Sequence, residues 1–95
     1  MPKYLIERGI PGAGELTEDE LQGIACSSND VLSDMGGDVQ WQQSYVAEDK
    51  LYCVYVAPSK ERVFEHAERG GFPADSVSRV GTIIDPVSAE AKTPA

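Results

Sequence analysis

Residues Tyr52–Pro73 read YCVYVAPSKERVFEHAERGGFP. The first half alternates as a β-strand, Pro58 stops it, and Ser59 is placed to cap a helix. That helix should run to about Arg69, with Val63, Phe64 and Ala67 as its core stripe, until GGF at Gly70–Phe72 ends it. The stretch holds Cys53, one of two cysteines, and His66, the only histidine. Whether those two side chains form a site or serve a small core is the functional question.

Working back toward the N-terminus, Val39–Ala47 and Lys50–Ala57 read as strands joined by a two-residue turn at Glu48–Asp49. That turn sets Tyr45 opposite Tyr52, Gln43 opposite Val54 and Trp41 opposite Val56. Period-two alternation then divides the hairpin into two faces. The Trp41/Tyr45/Val54/Val56 face is expected under helices. The other face carries Gln40, Gln42, Ser44, Val46, Leu51, Cys53 and Tyr55. Earlier in the chain, Tyr4–Arg8 reads as a strand, with Tyr4 and Ile6 toward the helices and Leu5 and Glu7 on the open face. GIPGAGE after it is turn chemistry and lacks the third glycine of a dinucleotide fingerprint. Thr17 and Glu20 form a capping box. From there a stripe of Leu21, Ile24, Ala25, Ser28, Val31, Leu32 and Met35 describes one helix face up to Gly36–Gly37, with Cys26 on the outside. Ser76–Asp85 reads as the last strand.

The order strand–helix–strand–strand–helix–strand predicts a ferredoxin-like α+β fold, a four-stranded antiparallel sheet with two helices on one face. A single domain over residues 1–86 is expected, with the Pro/Ala/Ser/Thr-rich residues 87–95 as a disordered tail. A chain of 95 residues holds one core, burying roughly 60–65% of its unfolded surface. Its open sheet face is apolar enough to need a cover, for which a second copy of the chain is the simplest candidate.

A net charge of −8 with only scattered Lys and Arg argues against a nucleic-acid partner. No apolar run is long enough for a membrane span. MPKYLIERG lacks the apolar stretch of a secretory signal, so a cytoplasmic location with free thiols is expected. Two cysteines and one histidine cannot make a structural zinc site without carboxylate help. His66, about 100° off the stripe, reads as a boundary residue, and Arg62 and Arg69 one turn away disfavour a cation there. Cys53 reads as a small buried hydrophobe unless a base stands beside it.

Three pieces taken together carry a family resemblance: ER-x-x-PG at the N-terminus, Y-C-V-Y-x-AP in the second strand of the hairpin, and EHA-x-x-GG-x-P after it. Over about Met1–Pro86 the chain resembles a small nickel-binding, ferredoxin-like family. The resemblance implies a homodimer and binding of divalent nickel, and it implies no reaction. By motif it points to Glu7 and Arg8, to Tyr52, Cys53 and Tyr55, and to Glu65 and His66. The expected metal donors are His66 through nitrogen, Cys53 through sulfur and Glu7 through oxygen. Since Glu7 and Cys53 are expected on the open face and His66 on a helix, one site would need a bent helix end or a partner chain. Two separate sites are the other possibility. The function expected is a nickel carrier, buffer or sensor with no catalytic activity assigned. The alternative is a small enzyme or small-molecule-binding protein using a cavity between the sheets of a dimer. Glu7 would then be its acid/base group, and Gln42, Ser44 and Tyr55 would line the cavity. A plain interaction module with adventitious metal affinity is the third reading.

Overall fold

The computed structural model describes residues 1–90. Four strands form one antiparallel sheet: β1 (Lys3–Gly9), β2 (Gln40–Val46), β3 (Lys50–Val56) and β4 (Ser76–Arg79), in the spatial order β2-β3-β1-β4. Helix α1 (Glu18–Asp34) follows β1 and α2 (Lys60–Gly70) follows β3. This is the ferredoxin-like α+β order expected from the sequence. Short 3-10 turns occupy Ala13–Glu15 and Pro86–Ala89. The latter falls in the tail expected to be disordered, and residues 91–95 of that tail lie outside the described residues.

Both helices start where local chemistry directs. Thr17 Oγ1 accepts the Glu20 N–H at 3.2 Å, and the Glu20 carboxylate accepts the Thr17 N–H at 3.0 Å. Those bonds hold the Glu20 carboxyl below its ordinary pKa. Ser59 caps α2 through the Arg62 N–H. At the other end of α2, Gly71 takes a left-handed φ of 69°, which glycine reaches without a Cβ clash, and the Phe72 N–H returns to the Ala67 carbonyl at 2.9 Å. The two helices are joined by Arg62. Its guanidinium donates to the Asp38 carboxylate at 2.6 and 3.0 Å, to Glu65 at 2.8 Å and to the Met35 carbonyl at 2.7 Å. Asp38 and Glu65 are held below the usual carboxylate range by that guanidinium.

The hairpin register is as expected near the turn, with Tyr45 opposite Tyr52 and Gln43 opposite Val54. Further out, Gln42 is the extra residue of a β-bulge, and Trp41 pairs with Tyr55 instead of Val56. One inserted residue moves Trp41 to the other sheet face. The face assignment of the hairpin is also reversed. Leu51, Cys53 and Tyr55 are buried toward the helices, level with Arg8, Ile6 and Tyr4 on β1. Tyr52, Val54 and Val56 share the open face with Leu5 and Glu7. Alternation separates the two sets but does not say which meets the helices. The pairing of β3 with β1 decides that.

In α2 the buried side is Val63, His66 and Ala67, with Phe64 44% exposed. The set i, i+3, i+4 is the true helical stripe, so His66 is core and not boundary. Phe72, beyond the helix end, is half-buried and lies against His66 and Arg8. A Cβ at Gly70 would collide with the Phe72 ring, so glycine there permits the placement. Strand β4 is shorter than the sequence suggested. Val80 still donates to the Lys3 carbonyl, but the next residue on that side, Pro2, has no N–H to give and its carbonyl accepts from Ala57 on the β3 side. Ile83 and Ile84 are left 67% and 80% exposed. The glycine-rich loop after β1 is fastened to the hairpin turn by Ile10 N–H to Asp49 O and Gly12 N–H to the Asp49 carboxylate. Its glycines therefore serve a loop.

Candidate functional site

Alternation along β1 carries Arg8 onto the same face as Tyr4 and Ile6, beneath the helices. Arg8 is 3% exposed. Its Nη1 donates to the Pro73 carbonyl at 2.6 Å, and Nη2 lies a long 3.5 Å from the Tyr55 hydroxyl. The guanidinium carbon stands 5.8 Å from the Tyr55 ring centre and 5.6 Å from that of Phe72. Two aromatic faces and one carbonyl thus partly offset the cost of burying a cation. Among the described residues no carboxylate lies within ion-pair distance of Arg8.

Beside Arg8 is a cavity of about 180 Å³ between α1 and the sheet. Leu21 and Ala25 line it from α1, and Trp41, Ser44, Cys53 and Tyr55 line it from β2 and β3. The Trp41 indole N–H is satisfied by Ser44 Oγ at 2.9 Å. Burial pushes the Tyr55 phenol above its ordinary pKa, while the Arg8 charge opposes that shift.

His66 lies behind this wall and is fully buried. Its ring centre is 5.1 Å from that of Tyr55 and 5.5 Å from that of Phe72. Nε2 and Ser28 Oγ share a hydrogen bond of 3.1 Å whose direction follows the tautomer. Nδ1 has no hydrogen-bond partner. Burial, aided by the Arg8 charge and opposed by the bond at Ser28, pushes the imidazole down to about 4. The ring is therefore neutral at pH 7. As a general base it would be weak, and no carboxylate orients it from Nδ1, so Ser28–His66 is not a catalytic pair of the triad type.

The expected metal donors are not brought to one place. Cys53, on the buried side of β3, faces the helices, which corrects its expected position on the open face. Glu7 projects from the opposite face of the sheet, 3.5 Å from the Lys50 ammonium. Among the described residues, no three His, Cys, Asp or Glu side chains come together as a metal-holding group. An ion bound by Glu7, Cys53 and His66 of one chain therefore does not fit this geometry. The arginines expected to disfavour a cation at His66, Arg62 and Arg69, are both turned to Glu65, and Arg8 is the cation felt at the ring. Of the expected cavity residues, Ser44 and Tyr55 line the cavity under α1, whereas Gln42 sits exposed at the bulge. Arg8 was marked only by the family motif, with no role of its own, and Phe72 was not singled out. The alternation of β1 already carried the signal for Arg8. For Phe72 the only hint was the helix-ending glycine pair before it.

A four-stranded antiparallel sheet under two helices, with a buried cation and an apolar cavity between them, defines a small ferredoxin-like α+β protein. The chain matches the family model described as "Nickel responsive protein SCO4226-like" over residues 4–80, and it belongs to that family. The crystal structure of SCO4226 from Streptomyces coelicolor A3(2) is similar, with a TM-score of 0.71 at 27% identity, covering 86% of this chain and 99% of that one. No curated protein matches the chain.

Proposed function

We propose that this chain binds a divalent transition metal, nickel first, as a homodimer closed through the open sheet face. Membership of a family described as nickel responsive carries this reading. The absence of a three-donor group within the described residues of one chain favours ligands drawn from two chains. Glu7 lies on the open face with Leu5, Tyr52, Val54 and Val56, a patch that a second sheet would cover. The exposed Ile83, Ile84 and Val87 also fit an assembly larger than one chain. Cys53 and His66 lie under the helices, on the side of the sheet away from Glu7, and so stand apart from a site on the open face. The free thiols at Cys26 and Cys53 suit a reducing compartment, the cytoplasm.

The test is calorimetry of the untagged, metal-stripped chain with nickel, zinc and cobalt, beside its sedimentation. Micromolar or tighter binding at a whole-number ratio, weakened by Glu7→Gln, supports this reading. No saturable binding to any of the three ions refutes it. Weakening by His66→Gln with Glu7→Gln unaffected would move the site to the helix side.

A further inference from the structure

We propose that the cavity between α1 and the sheet is a binding site for a small monocarboxylate with a compact apolar body, its carboxylate received by Arg8. The site lies on the opposite face of the sheet from the proposed nickel interface and does not depend on it. Three observations carry the proposal.

First, Arg8 is buried and lines the cavity, yet no carboxylate pairs with it among the described residues. Buried charges in folded proteins are ordinarily paired. The Pro73 carbonyl and the Tyr55 hydroxyl engage only part of its planar donor fork. The remaining N–H groups are the kind that grip a carboxylate through two oxygens.

Second, the body of the cavity suits an apolar group. Leu21, Ile24, Ala25 and Cys53 are on its wall, with Trp41 and Tyr55 supplying aromatic surface. At about 180 Å³ it exceeds the engineered cavity of about 150 Å³ known to hold benzene, so one ring and a carboxylate fit together. The site is partly open to solvent, so an apolar group seated there would take the walls out of water.

Third, the guanidinium is held ready. Its two aromatic neighbours and the Pro73 carbonyl hold it in position, so little ordering is needed when an anion arrives. Val46, 43% exposed, lies on the cavity wall and marks its access from solvent.

Trp41 is the only tryptophan and lies on the cavity wall, so its fluorescence reports occupancy directly. The experiment titrates the untagged full chain, in chelator to exclude metal, with benzoate and with its neutral analogue benzamide. Benzoate should give a saturable change, with benzamide at least about tenfold weaker for want of a charge-assisted bond. Ala25→Phe and Ser44→Leu fill the cavity from opposite walls, and each should abolish the response. Arg8→Met should bring the two probes to similar affinity. If that variant does not fold, the benzoate–benzamide ratio on the natural chain still carries the charge test, and the filling variants carry the location. The proposal is overturned by no saturable response to benzoate, by equal affinity for benzamide, or by benzoate binding that survives both filling variants. Because metal is excluded throughout, failure here leaves the nickel reading standing, and the converse holds too.

Discussion

Acidification should unfold this protein partly through one side chain, His66. Its imidazole is fully buried and titrates at about 4 in the folded chain, against about 6.5 when exposed. Between those values the unfolded chain binds a proton that the folded chain refuses. Stability is therefore whole above about pH 6.5 and falls as pH drops, most of the loss being reached by about pH 4 and the rest just below it. The size of the effect is about 2–3 kcal/mol, a large share of the stability of a small domain. The carboxyls of Glu20, Asp38 and Glu65 act in the same direction but lower, because their folded pKa values lie below those of free carboxylates. Their contribution is lost mainly below about pH 4.5. His66→Gln removes the titration, so subtracting its profile isolates the histidine. The assay is urea unfolding of both chains at steps from about pH 7 to about pH 4. The natural chain should lose about 2–3 kcal/mol more than the variant over that range. As the only histidine, it also gives one set of ring resonances in the untagged protein, so its titration can be followed directly by NMR. Parallel stability profiles, or a ring titrating near its ordinary value, would refute the reasoning.

Other consequences are more local. Thr17→Ala removes the hydroxyl half of the α1 capping box and should cost about 1 kcal/mol in urea unfolding. Gly71→Ala forces a side chain into a left-handed φ of 69° and should cost about 1–2 kcal/mol, read from the same titration. Val54→Lys sets a charge in the middle of the open face. If that face pairs with a second chain, the variant should sediment as a monomer with unchanged circular dichroism, and an unaltered dimer would count against the interface.

Much of the fold was legible because its signals are local. The capping box at Thr17, the proline stop at Pro58, the glycine ends of both helices and the two-residue turn after Ala47 each depend on a few neighbouring residues. Together they establish the order of elements, and that order leads to the ferredoxin-like sheet. The errors fell where distant segments compete. The bulge at Gln42 turned Trp41 inward, and nothing near Trp41 in the chain announces it. Pro2, with no N–H to give and its carbonyl taken by Ala57, ended the pairing with β4, and Ile83 and Ile84 were left exposed although their own propensity favoured a strand.

The same division holds for the site. Sequence alone marked Tyr55, Ser44, Cys53 and His66 as residues of interest, and alternation with Tyr4 and Ile6 already carried Arg8 inward. It could not say that Arg8, Tyr55, Phe72 and His66 meet, because they come from β1, β3, a loop and α2. Nor could it separate Glu7 from Cys53. Period two sorts the residues of each strand into two sets, but which set faces the helices is decided only when β3 pairs with β1 and the helices settle on one side. Local chemistry determined the elements. Long-range packing decided which polar groups were buried together, and therefore where a ligand could be held.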